Sequence, residues 1–128
     1  TNTKNLEMLI KETIERYIKF LLYYKEKFKN IGVYAPIASG PNNCIQGNGR
    51  QSYQTEIERN NITIIFNNLL ENYCKENNIL FKSISSELMN EDKTSIKKNY
   101  VSDYIHLNMN VQSLLEDKFS NLIINDIK

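Results

Sequence analysis

The chain has 128 residues, with 16 Lys and Arg against 15 Asp and Glu and a formal net charge of +1. That length suits one domain rather than two and is large enough to bury a core of its own. Near-neutral charge excludes a strongly basic nucleic-acid face or polybasic membrane surface, and with no apolar run of about 20 residues no membrane span is expected.

The first element runs from about Lys4 to Lys29. Leu6, Leu9, Ile10, Ile14, Tyr17, Ile18, Leu21 and Leu22 recur at helical spacing, so this is a long amphipathic helix. Thr3 is its expected N-cap, Glu7 its first-turn acid, and Lys25, Lys27 and Lys29 suit the other end of the dipole. Ile31 to Ile37 is short, apolar and bounded by turn signals, which predicts a buried strand with Pro36 at its C-terminal end. Ala38 to Gln54 is rich in Ser, Gly, Asn and Pro and reads as a long loop; loops beyond about 12–15 residues in compact domains are often functional or disordered.

Thr55 to Asn77 returns to helical spacing through Ile57, Ile62, Ile65, Leu69, Leu70, Tyr73 and Cys74, and Asn77-Asn78 ends it. The Asn61-Ile62-Thr63 sequon falls inside this helix and reads as a chance match. Ile79 to Ile84 is a second strand, and Ser85 to Tyr100 a polar connection with room for a short helix. Asn110 is the expected N-cap of a final helix marked by Val111, Leu114, Leu115, Leu122 and Ile123.

The order helix, strand, helix, strand, helix predicts an α/β fold with parallel strands and helical crossovers. Two parallel strands are too few for a stable sheet, and parallel strands normally have neighbours on both sides. At least one strand edge is therefore expected to lack its partner. Further polypeptide supplies the missing strands, or the edge remains adhesive and self-associates. The start at Thr1, without Met and helical by Leu6, also reads as a cut from a longer protein.

Cys44 lies in the loop and Cys74 in a helix, without metal-ligand spacing or a nearby His, so both read as free thiols in a reducing compartment. This leans toward a cytoplasmic location without fixing it. No metal or organic cofactor is implied.

His106 is the only histidine, so any imidazole chemistry uses it. Asp103 precedes it by three residues, in a loop before the last helix. At that spacing a turn brings carboxylate and imidazole into hydrogen-bond reach. The acid then orients one ring nitrogen and leaves the other to act as a general base toward a hydroxyl. On spacing alone the commoner reading is a surface His beside an acid at a helix start, because an Asp-x-x-His pair often arises by chance.

The segment Ser102-Asp103-Tyr104-Ile105-His106-Leu107-Asn108, followed by a terminal helix, resembles the last signature block of the SGNH (GDSL-type) hydrolases. Phe66 to Ile79 resembles that family's penultimate helix leading into a strand, and Val33-Tyr34-Ala35-Pro36-Ile37 resembles the strand after the block holding the oxyanion-hole Asn. The resemblance spans about Ile10 to Phe119, and the Asp-x-x-His block is its one specific motif. It implies a three-layer α/β/α, flavodoxin-like parallel sheet. Residues 1–128 would then be the C-terminal portion of a single partial domain. It implies His106 as the base, Asp103 as its orienter, and a Ser nucleophile from a Gly-Asp-Ser block. That block has no counterpart here, nor has the Gly-x-Asn-Asp of the oxyanion hole.

Ser39 follows a strand end, but a nucleophile elbow requires a helix directly afterwards and a long loop follows instead, so Ser39 reads as a turn residue. The loop from Ser39 to Gln54 is a candidate cleft wall, with Arg50 or Asn43 available to polar substrate groups, though for those two residues a solvated loop is the favoured reading. Tyr17 and Tyr73 are expected in the core, and Tyr100 and Tyr104 beside the candidate pair. The leading expectation is an ester hydrolase acting on a small-molecule or carbohydrate ester, with its nucleophile outside this chain. The alternative is a non-catalytic α/β module that binds a partner through its long loop or sheet edge.

Overall fold

A computed structural model describes residues 3–40, 55–102 and 106–121. Helix α1 spans Thr3–Lys25, strand β1 Gly32–Tyr34, helix α2 Glu56–Glu76 and strand β2 Leu80–Lys82. A short helix α3, Ser85–Leu88, and two 3-10 turns, Lys98–Tyr100 and Met109–Val111, lead into helix α4, Gln112–Asn121. The alternating order read from the sequence is therefore present, with small elements inserted before the last helix. No helix among the described residues is long and apolar enough to cross a membrane.

The strands pair in parallel, with Gly32 opposite Leu80, Val33 opposite Phe81 and Tyr34 opposite Lys82. Ala35 N–H adds a last bond to Lys82 O at 2.9 Å, and Pro36, which has no N–H, follows at once. Both strands are shorter than the apolar runs suggested, because only three residue pairs meet across the ladder.

Helix α1 buries Ile10, Ile14, Ile18 and Leu21 on one stripe. Thr3 is its first helical residue rather than a cap, and Glu7 lies beyond the first turn. The helix stops at Lys25, where Lys27 and Phe28 both donate backbone N–H to Tyr24 O. Leu9, Tyr17 and Leu22, expected on the apolar face, are exposed, as is Ile57 on α2.

Helix α2 begins with a capping box: Thr55 Oγ1 accepts from Glu58 N–H at 3.1 Å, and Glu58 Oε2 accepts from Thr55 N–H at 3.2 Å. It closes with Ile79 N–H bonded to Cys74 O and Asn78 N–H to Lys75 O. This Schellman arrangement needs a left-handed residue at Asn78, whose φ is 54°. Lys25 of α1 caps the same end, its Nζ donating to Asn77 O at 2.7 Å and Asn78 O at 3.0 Å.

The core has two parts. One joins the α1 stripe to Val33, Leu70, Cys74 and Ile79. The other gathers Ala38, Ile84, Leu88, Met89, Ile96 and Val111 beyond the ends of the strands. Side chains alternate along a strand, so Val33 faces α1 and α2 while Tyr34 turns the other way. There its ring meets Phe119 of α4 at 5.6 Å between centroids.

The turn leading into the last helix starts earlier than its sequence suggests. Asn108, not Asn110, is the cap: its Oδ1 accepts Asn110 N–H at 2.9 Å and opens the 3-10 turn that runs into α4. Leu122 and Ile123 lie outside the described residues.

Candidate functional site

His106 stands at the end of a tight excursion from the chain. Val101 and Leu107 pair as an antiparallel bridge, and inside it Ser102 N–H donates to His106 O at 2.9 Å, with Ser102 Oγ donating to the same oxygen at 3.2 Å. The backbone on either side of residues 103–105 is thus clamped. Asp103 and Tyr104 lie outside the described residues. His106 itself is exposed.

A second set of bonds fixes the base of this excursion. Asn108 N–H reaches Tyr100 O at 2.9 Å, and the side-chain amides of Asn108 and Asn110 both donate to Asn99 O, at 2.8 and 2.7 Å. The segments before and after residues 103–105 are therefore tied together by asparagine side chains. Tyr100 packs half-buried against the second core. Tyr73 is half-buried too, with its hydroxyl on Glu15 at 3.1 Å.

Leu107, the residue after His106, has two contacts of consequence. It packs on the second core, and it forms part of an apolar groove of about 660 Å³ with Pro36 and Ile37, which follow the C-terminal end of β1. Leu107, the chain neighbour of His106, therefore adjoins the carboxyl end of the parallel strand, the side on which open α/β sheets hold ligands. Tyr17 lines the other wall of this groove, which explains why it is not in the core.

Sequence reasoning missed the two asparagines that shape this end of the sheet. Asn60 is completely buried. Its Oδ1 accepts Ser39 N–H at 2.7 Å and its Nδ2 donates to Thr94 O at 3.1 Å. One turn-pair further along α2, Asn67 Nδ2 donates to Pro36 O at 2.9 Å. Both loops that leave the strands are thereby tied to α2. The signal was available: Asn60, Asn67, Leu70 and Cys74 share one face at helical spacing, so two amides fall on the buried stripe. Buried amides persist only when bonded.

Ser39 is held rather than poised. Its hydroxyl accepts from Arg59 Nε at 2.5 Å, and Arg59 Nη2 donates to Gly40 O at 2.7 Å. A guanidinium cannot take a proton, so this neighbour does not activate the hydroxyl. Asn43, Cys44 and Arg50 fall within residues 41–54, outside the described residues.

A second depression, of about 440 Å³, lies beside β2 between α2, α3 and α4. Lys118 pairs with Glu87 at its rim at 2.9 Å. Desolvation pushes the Glu87 carboxyl up, but the hydrogen bond from Lys118, a backbone bond and the charges of Lys118 and Lys93 outweigh it, leaving Glu87 below its usual range. Asn67 Oδ1 and Ser85 Oγ, both on residues lining this depression, have no hydrogen-bond partner among the described residues. No cluster of three or more metal-ligating side chains occurs among the described residues.

No protein-family model matches the chain, and no curated protein matches it in sequence. Among solved structures, the fold is similar to that of a Bacteroides fragilis protein whose own assignment as an acylhydrolase is provisional. The TM-score is 0.67 at 15 % identity, over 93 % of this chain and 53 % of that one. The chain thus spans about half the length of the structure it matches, and what the two share is the fold.

Proposed function

We propose that these residues form the C-terminal part of an SGNH-type ester hydrolase whose nucleophile is carried by polypeptide outside this chain. The observation that carries this reading is the Asp103-x-x-His106 block, with its flanks clamped by the Ser102–His106 bonds next to the carboxyl end of β1. The acylhydrolase-like fold supports it. In this reading the domain is a three-layer α/β/α sandwich, and the two strands β1 and β2 belong to a larger parallel sheet.

The chemistry follows from the residue types. His106 accepts the proton of a Ser hydroxyl as that oxygen attacks the ester carbonyl. The collapse of the tetrahedral adduct expels the alcohol, which takes the proton from the imidazolium. Water then repeats the cycle on the acyl-enzyme. Asp103 holds the imidazole tautomer and stabilises its charged form. Asn or Gly donors for the oxyanion come with the nucleophile's half of the domain. The substrate class is a small or carbohydrate O-acyl ester.

The alternative, a non-catalytic module that engages a partner by its long loop or sheet edge, is favoured by one observation: β1 borders an apolar groove. Hydrolysis of a short-chain aryl ester by the natural polypeptide containing these residues separates the two. His106→Ala is expected to lower kcat/KM by about 10³-fold or more, and Asp103→Asn by about 10²–10⁴-fold. Wild-type rates in His106→Ala refute the catalytic reading. The 128-residue chain alone is expected to escape labelling by a serine-directed fluorophosphonate, and strong labelling means the nucleophile lies inside it.

A further inference from the structure

The depression between α2, α3 and α4 lies where the two cores meet. Phe81, which lines it, packs against the first core, and Ile64 and Met89 pack in the second. Its volume of about 440 Å³ falls within the range of about 300–1,000 Å³ usual for small-molecule pockets. None of the residues lining it lines the groove beside Leu107.

Two polar side chains of this depression are left unsatisfied. Asn67 is 9 % exposed and Ser85 5 %, and neither Asn67 Oδ1 nor Ser85 Oγ has a hydrogen-bond partner among the described residues. The direction of the Asn67 amide is fixed. Pro36 O can only accept, so the amide NH2 faces it at 2.9 Å, and the carbonyl oxygen is the atom left over. Ser85 has a single side-chain bond to turn about, which carries its hydroxyl toward an occupant. Buried polar atoms without partners are rare, and each points to a water, an ion or a ligand.

The surrounding groups select among these. Asn67 Oδ1 needs a donor, which a carboxylate or a fully ionised phosphate lacks. An ammonium has donors but meets Lys82, Lys93 and Lys118 around the same depression. Water answers the two atoms but leaves the apolar surface of Ile64, Phe81 and Met89 wet. What fits is an uncharged molecule whose hydroxyls both donate and accept and whose C–H faces are apolar. The walls are set before it arrives: Lys118 is held on Glu87 at 2.9 Å, and Lys93 Nζ donates to Ser86 O at 3.1 Å and Ser86 Oγ at 2.9 Å.

We propose that this depression binds a pyranose unit of a neutral sugar, one hydroxyl donating to Asn67 Oδ1, another bonding Ser85 Oγ, and a C–H face resting on Phe81. The unit belongs to a free sugar or to a sugar chain. The proposal does not rest on the ester chemistry, since it involves neither His106 nor the groove beside Leu107, so loss or retention of hydrolysis does not bear on it.

Amide correlation spectra of the natural polypeptide test it, titrated to about 50 mM with methyl β-glucopyranoside, methyl β-galactopyranoside or cellotetraose, and in parallel with inorganic phosphate or adenosine. Saturable shifts of the Asn67 side-chain amide and of the Phe81 and Ser85 backbone amides are expected with at least one of the sugars. Tighter binding of cellotetraose than of the glucoside assigns the unit to a sugar chain, and equal or weaker binding to a free sugar; either upholds the site. No saturable shift with any sugar, or shifts only with adenosine or phosphate, overturns the proposal. Ser85→Ala is expected to weaken sugar binding by about fivefold and to leave Tm unchanged or slightly raised, because its hydroxyl has no partner in the protein to lose. Unchanged affinity in this variant overturns the proposal. So does a Tm lowered by several degrees, which means that a fixed water or the protein itself already satisfies the hydroxyl.

Discussion

Removing the Asn60 amide should loosen both loops at the carboxyl end of the sheet in one step. Asn60 is 0 % exposed, and its two bonds, 2.7 Å to Ser39 N–H and 3.1 Å to Thr94 O, bridge segments 21 and 34 residues away in sequence. Asn60→Ala deletes both bonds, each contributing about 0.5–1.5 kcal/mol net, and strands a donor and an acceptor that are partly buried. Allowing water to reach one of them, the expected loss is about 2–4 kcal/mol, or on the order of 10 °C in Tm for a chain of this size. Asn60→Asp is the sharper variant. It keeps the acceptor toward Ser39 but turns the donor toward Thr94 O into a buried negative oxygen. Burial raises such a carboxyl's pKa, so at neutral pH the variant is expected to be less stable than Asn60→Ala. In mild acid the carboxyl is protonated and can donate to Thr94 O, so the deficit relative to wild type at the same pH is expected to shrink. Urea unfolding followed by circular dichroism measures both. A loss below about 0.5 kcal/mol for Asn60→Ala, or an Asn60→Asp deficit that does not change with pH, would refute the bridging role.

Three further outcomes are expected. Asn78 sits at φ 54°, so Asn78→Gly should be neutral or stabilise by a few tenths of a kcal/mol, while the β-branched Asn78→Val should cost about 1 kcal/mol or more in the same unfolding assay. Burial, and then the nearby Glu71 carboxylate, hold the Cys74 thiol above its usual range, so in a Cys44→Ser background a thiol reagent at mildly alkaline pH should react only as the protein unfolds. Glu87 and Asp92 are both held below their usual values of 4.5 and 3.8, Asp92 chiefly by the Thr94 backbone N–H. A depressed carboxyl pKa means the unfolded chain binds more protons, so their contribution is complete above about pH 4.5 and disappears as pH falls through the lower folded values. Lys118→Met should flatten this acid dependence, seen as a smaller drop in Tm between neutral and acid pH.

The order of elements was legible because it is written in local periodicity. Ile10, Ile14 and Ile18 recur every four residues, and Thr55 with Glu58 forms the capping box that starts α2. The parallel pairing of β1 and β2 followed from the helix between them. The Asp103-x-x-His106 spacing was readable as a motif because it is local in the sequence.

Periodicity does not say which of two adjacent stripes on a helix meets the core. Tyr17 and Phe20 lie beside Ile14 and Ile18 on α1, and only the position of α2 on the opposite flank leaves the aromatic side uncovered. Nor does an Asn announce its burial: Asn60 is in the interior because Ser39 and Thr94, far off in sequence, bring a donor and an acceptor to it. The cap of the turn leading into α4 moved to Asn108 for the same kind of reason, since the Val101–Leu107 bridge and the bonds to Asn99 O fix where the chain can begin to coil. Local rules thus determined the elements and the motif, whereas contacts between residues distant in sequence decided the flank, the anchors and the surroundings of His106.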